Sequence, residues 1–465
     1  MVLYSKQICE VVILKDKKQT LNNAVTVIIG CLLMGFLWRI RGEHGWGAAW
    51  GVLNAGFIYS LFVVLIKGAR EKFNIGWLAV TSISFMLTVP AWGTILDQIT
   101  GVLVEAEYNN GTPVYVSVFS AVFLMLCIGF GMASLFGILL GRSLSEKQWK
   151  TKDLIILIAV FYITDLVTKA TVSHWILGLV QPEAAQSLEN VLAANGIEGS
   201  AWEVYLQHFD DVSWAKKIPN SNSIGRNYFQ SIECISAMLR SIASIVTARF
   251  IIKDKVAAKT GLVVSGAFAF AIAFADLFFY FGDGGYHRLG ENIFPASIAP
   301  WSCWEYFTGF IAGGIITAYL VKLKCGKDVP ELAFNKVPQK VSNILTFIAG
   351  FIFLIGVSIV RPVLERYDYN VVIQVIATVI AVLAAIAFVV VLIKKWGFDM
   401  SKIDTVKYSA LLLPFFMCFM FAAYLFTGGT EHGDYMNFNM FHLWCCLVSF
   451  IAVMIWSINR AKKIK

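Results

Sequence analysis

Three short stretches of this 465-residue chain gather side chains able to hold anions and move protons. The first reads Trp38-Arg39-Ile40-Arg41-Gly42-Glu43-His44-Gly45-Trp46. Arginine offers a planar fork of donors that grips a carboxylate or phosphate in two-point fashion and keeps its charge when buried. Arg39 and Arg41 would therefore hold an anion, and Glu43 with His44 would serve as base and acid beside it. Glycine in the same turn lets the backbone come close to a ligand. The second stretch, Asp283-Gly284-Gly285-Tyr286-His287-Arg288-Leu289-Gly290-Glu291, repeats that composition. The third, Glu431-His432-Gly433-Asp434, repeats the Glu-His-Gly triplet of residues 43–45. Arg361 and Arg366 lie in a further charged turn, and Asp97 and Asp276 are carboxylates at the ends of apolar runs.

The elements that must position these residues follow from composition. Hydrophobic residues make up 58% of the chain and charged ones 15%, with a mean hydropathy of +0.70. A soluble protein of this size needs more polar surface. A bilayer span needs roughly 17–25 apolar residues, and twelve segments meet that requirement. They are 22–40, 47–66, 76–97, 114–141, 154–176, 229–252, 260–282, 303–323, 342–360, 370–393, 408–427 and 439–458. The expected fold is an all-α polytopic membrane protein of about twelve transmembrane helices in a single domain. Residues 1–21 form a cytoplasmic N-terminal segment, 177–228 a short extracytoplasmic cap between helices five and six, and 459–465 a basic cytoplasmic tail.

Lys and Arg set the orientation. With the N-terminus inside, 28 of the 38 basic residues fall in cytoplasmic segments, and the C-terminus is inside too. The chain is then expected in the cell membrane with lipid as its surroundings and no nucleic-acid partner. The nine cysteines show no CxxC spacing and read as small apolar residues rather than a disulfide framework.

This topology also sorts the chemistry. Seven of eleven arginines and all six histidines fall outside or within spans, whereas the cytoplasmic side is dominated by lysine. Positive charge of either kind orients a span, so the choice of Arg on one face calls for another reason. One reason is pairing with outer carboxylates. The other is an anion site on the extracytoplasmic face. There Arg39, Arg41, Asp97, Asp276, Asp283, Arg288, Glu291, Arg361 and Arg366 would bind substrate, and Glu43, His44, His287, Glu431 and His432 would carry acid–base chemistry. A divalent metal could sit among His44, His287 and His432, although no ligand spacing specifies one. In layout alone, such a face resembles bacterial ligases and polymerases that use polyprenyl-linked glycans.

The leading expectation is recognition of an anionic, lipid-linked, glycan-type substrate, with group transfer from it. The alternative is a secondary transporter. Asp165 and Lys169 are four residues apart in span five and share a helix face, and Arg240 lies near the middle of span six. These residues, with Asp276, would form a structural ion pair between spans or a pathway through them.

Overall fold

The computed structural model describes residues 2–41, 48–67, 102–104, 111–218, 224–278, 300–323 and 440–463, together with scattered positions among 81–88, 379–394 and 409–421. The described residues are overwhelmingly helical. Long apolar runs produce the long helices, because in hydrocarbon only a helix satisfies every backbone N–H and C=O within one segment. Helix α1 runs Val2–Arg41, α2 Ala48–Lys67, α3 Val118–Met132, α4 Ser134–Leu144 and α5 Thr151–Lys169. Next come α6 Ser173–Val180, α7 Pro182–Ala194, α8 Ala201–Gln207, α9 Val212–Ala215 and α10 Ile224–Val246. A π-turn, Thr247–Ile251, closes α10 and leads to α11 Lys255–Ala275. Helix α12 is Pro300–Lys322 and α13 is Met440–Lys463.

Four stretches are long and apolar enough to cross a bilayer: Gln19–Arg41, Asn227–Ile251, Lys255–Ala275 and Leu443–Arg460. The pairs α3 with α4 and α5 with α6 have the length and composition of two more spans, bent by 41° and 56°. The exposed surface agrees with a lipid environment. Trp444, Val448, Ile451, Ile455 and Ile458 form one exposed stripe along α13 at helical spacing, and Ile155, Ile158, Tyr162, Ile163 and Leu166 another along α5. Stripes of this length would be costly in water and are favourable against acyl chains. The polar side chains lie inside instead, as in a helical membrane protein.

Several boundaries differ from expectation. Residues 2–21 of the expected N-terminal segment are helical and run on into the first span in α1. The expected span 114–141 starts only at Val118, because Val114–Tyr115 pairs antiparallel with Val102–Val104, a short ribbon in an otherwise helical fold. That span is also interrupted at Ala133. Before the break α3 packs on both α10 and α11, and after it α4 follows mainly α11. The spans expected at 342–360, and most of 76–97 and 370–393, lie outside the described residues.

Close approach between helices rests on small residues, since lipid provides little hydrophobic drive for helix association. Helix α12 carries Gly309 and Gly313, four apart, against α1. A Cβ at Gly309 would overlap the Met34 carbonyl and the Trp38 side chain, and one at Gly313 would overlap the Gly30 carbonyl. Helix α4 repeats the device, with Gly137 and Gly141 against Gly261 and Thr260 of α11. The packing order runs from α2 through α1, α12, α11 and α3 to α10 and α5, and α13 lies along α1.

The cap expected at 177–228 contains three short helices with their own signals. Pro182 opens α7 at the position where its missing N–H costs nothing. Ser200 caps α8, and Glu203 returns the bond to the Ser200 backbone. Asp211 caps α9. Ala184, Leu188, Val191 and Leu192 bury one face of α7, so this cap packs down onto the ends of α6 and α10.

Candidate functional site

Two buried clusters of charge stand out among the described residues. The first joins α1 to α12. Arg39 Nη1 lies 3.0 Å from Glu305 Oε2, and Arg41 Nη2 lies 3.5 Å from Glu305 Oε1, so each carboxylate oxygen serves one guanidinium. The three side chains are 2%, 5% and 6% exposed. Two arginines two residues apart reach one partner because they occupy the last turn of α1, where positive charge also complements the helix dipole. Arg41 additionally stacks 4.5 Å above the Trp38 ring, which is braced by Phe85 and Phe268.

The second cluster joins α5, α10 and the cap. Asp165 Oδ1 accepts from Arg240 Nη1 at 3.0 Å and from the Ser236 hydroxyl at 2.8 Å. Asp165 Oδ2 lies 3.2 Å from Lys169 Nζ, one turn along the same helix. Lys169 then reaches out of α5 to Asp210 of the cap, 2.8 Å away. At the inner end the Arg240 guanidinium donates to the Thr88 carbonyl at 3.1 Å and sits 4.6 Å over the Phe161 ring. These contacts form a continuous column. Asp210 at the cap end is 41% exposed, whereas Lys169, Asp165 and Arg240 behind it are 6%, 14% and 6% exposed.

Local structure places each member. Glu233, Ser236 and Arg240 recur at helical spacing on one face of α10, covering about 10 Å of axis at 1.5 Å per residue. Asp210 has a φ of 61°, a left-handed conformation that Asp tolerates better than most residues, and this turn directs the chain back toward α5. Tyr205 of α8 is completely buried, and its hydroxyl has no hydrogen-bond partner among the described residues. Burial, reinforced by the carboxylates of Asp210, Glu233 and Asp165, pushes the Tyr205 phenol above the ordinary tyrosine range, so it stays neutral.

Of the residues that the sequence nominates, Arg39 and Arg41 come together, with their forks turned onto Glu305. Asp276 is buried at the end of α11, where its N–H bonds to the Ile272 carbonyl. Its Oδ1 makes no hydrogen bond, and Asp276 contacts neither cluster among the described residues. Asp165, Lys169 and Arg240 do meet, in the arrangement expected of an ion pair between spans five and six. Glu43, His44, Asp97, Asp283, His287, Arg288, Glu291, Arg361, Arg366, Glu431 and His432 lie outside the described residues. The possible divalent metal among the three turn histidines falls with them. Sequence reasoning missed Glu305, Glu233 and Tyr205, and gave Asp210 no role. The available signal was that Glu305 and Glu233 are lone carboxylates inside apolar runs, each of which calls for a partner.

A hollow of about 550 Å³ opens separately on the cap, between α7 and α8, lined by Glu189, Glu198 and Ser200. Glu189 already accepts from the Ala201 amide at 3.0 Å. Comparison of the chain with protein-family models, with curated proteins and with solved structures found no match.

Proposed function

We propose that this chain is a multi-pass transporter of the cell membrane that carries a small charged solute along the Asp210–Lys169–Asp165–Arg240 column. In this reading it has about twelve spans, both termini are cytoplasmic, and the cap faces the extracytoplasmic side. The observation that carries the proposal is the column's continuity, from a half-exposed carboxylate in the cap to a guanidinium buried among spans. Charge at that depth is expensive and marks a partner or a pathway. A purely structural clasp between α5 and α10 needs only Asp165 and Arg240, yet the network extends through Lys169 to the surface.

The second reading keeps recognition of an anionic, lipid-linked, glycan-type substrate with group transfer at the extracytoplasmic face. It is favoured by one observation, two guanidiniums brought side by side at the end of α1. It ranks below transport because the Glu305 carboxylate already takes up part of both guanidiniums.

Proteoliposomes adsorbed on a capacitive sensor separate the two readings. Rapid jumps in proton, sodium, ammonium, phosphate and carboxylate concentration are applied in turn. Transport along the column predicts a charge displacement for at least one of these, lost in Asp165→Asn and kept in Arg41→Ala. Displacement lost with Arg41→Ala and untouched by Asp165→Asn would move the site to the end of α1.

A further inference from the structure

We infer that Glu233 is the proton-binding group of the column, so that movement of the charged solute is coupled to protons. This inference rests on the transport reading and adds the coupling ion. Glu233 lies on the α10 face that presents Ser236 and Arg240, about one turn nearer the cap than Ser236. It is half-buried and forms no hydrogen bond or ion pair among the described residues. Every charged group that faces it belongs to the column. Lys169 and Asp165 approach from α5, Asp210 from the cap and Arg240 from its own helix.

The charges do not balance. Asp165, Asp210 and Glu233 bring three negative charges, and Lys169 and Arg240 bring two positive ones. The two cations are already committed to Asp165 and Asp210 at 2.8–3.2 Å. Glu233 makes no close ion pair and shares the field of Lys169 with Asp165 and Asp210, so the cluster holds one negative charge more than its cations offset, and such an excess is costly away from water.

A second observation points to the same place. The Tyr205 hydroxyl, fully buried and unpartnered among the described residues, lies within electrostatic reach of Asp210, Glu233 and Asp165. A neutral phenol and one uncommitted carboxylate suit a proton better than a metal cation. Hard cations such as calcium require about six to eight oxygen ligands, and even smaller ions want several. A proton needs one carboxylate oxygen, and the unpartnered Tyr205 hydroxyl would turn to the acid once it forms. The step is a simple transfer. A hydronium ion on the cap side gives up a proton and leaves as water, an O–H bond forms on Glu233, and the excess negative charge of the cluster is neutralised. Release reverses it, with no oxidant or reductant involved.

Infrared difference spectroscopy of the full chain in lipid nanodiscs tests this by following the carboxylic-acid carbonyl band through stepwise changes of pH. The inference expects a titrating band that disappears in Glu233→Gln and remains in Asp276→Asn, a buried carboxyl outside the column. Tyr205→Phe should change the proton affinity of that band about two- to tenfold, the equivalent of one hydrogen bond. This variant also serves if Glu233→Gln does not fold. An unchanged band in Glu233→Gln, or a proton affinity untouched by Tyr205→Phe, overturns the assignment. So does displacement of the band by sodium or potassium at constant pH, which would make the ligand an alkali cation. Charge displacement without a Glu233 band defeats this inference and leaves transport standing. A Glu233 band without any charge displacement upholds the proton site and defeats the transport reading.

Discussion

The Arg39–Glu305–Arg41 clasp and the Asp210–Arg240 column are both buried, both charged and both interhelical, yet they are built for different ends. The clasp converges, with two cations meeting one carboxylate at the seam where Gly309 and Gly313 bring α12 against α1. The Trp38 ring packs beneath Arg41. The column extends instead. Successive members alternate in sign, come from three elements and end at an exposed carboxylate in the cap. Convergence on one point fixes helices in register, whereas alternation along a line gives a mobile charge successive partners. Burial alone therefore does not identify a functional ion pair; what marks the column is that its contacts run from Arg240 to the half-exposed Asp210.

The largest effect expected is on the clasp. Glu305→Ala removes the carboxylate shared by two buried guanidiniums and should destabilise the fold by about 3–5 kcal/mol, measured as thermal unfolding of the purified protein in detergent. A loss below about 1 kcal/mol, the range of an exposed ion pair, would show that the clasp is not a structural joint. The seam beneath it gives the next effect. Gly309→Leu forces a side chain into the α1 backbone and should cost about 1–3 kcal/mol by overpacking. Gly178→Ala, where added atoms meet open space within a helix, should not destabilise the fold.

Asp210→Asn sharpens the contrast from the other side. The Asp210 carboxylate is 41% exposed, so the variant should lose no more than about 1 kcal/mol. Its charge displacement should nevertheless fall, because the mouth of the column has lost its anion. Full displacement in Asp210→Asn would shorten the column to Asp165 and Arg240.

The smallest effect concerns the cap. The Ser200 backbone N–H, then its hydroxyl, hold the Glu203 carboxyl below the usual range. The folded value is thus lower than the unfolded one. Its contribution is complete above the ordinary Glu range and is lost as pH falls through the depressed value. Hydrogen exchange at the first turn of α8 should accelerate over that acidic window in the native protein. In Glu203→Gln it should show no such step.

Much of the scaffold was legible because a long apolar run has few alternatives. The expected span 47–66 is α2 at Ala48–Lys67, and 303–323 is α12 at Pro300–Lys322. The break at Ala133 was not legible, since α3 and α4 follow different neighbours and no local signal records that. The Gly-x-x-x-Gly spacings at 309–313 and 137–141 are present in the sequence and could have identified those interfaces. Within the clusters, Asp165 with Lys169 could be read from a spacing of four. Glu305 is 264 residues from Arg41, and no spacing announces such a partner. Asp210 reaches Lys169 only because a left-handed turn redirects the cap, a property of one backbone angle rather than of a pattern.

The most direct test compares two isosteric neutralisations in the same proteoliposomes, Asp165→Asn in the column and Glu305→Gln in the clasp. Charge displacement after a concentration jump is normalised to folded protein. The account predicts that Asp165→Asn abolishes the displacement while Glu305→Gln retains most of it. Retention in Asp165→Asn together with loss in Glu305→Gln would contradict it and assign the working charge to the clasp.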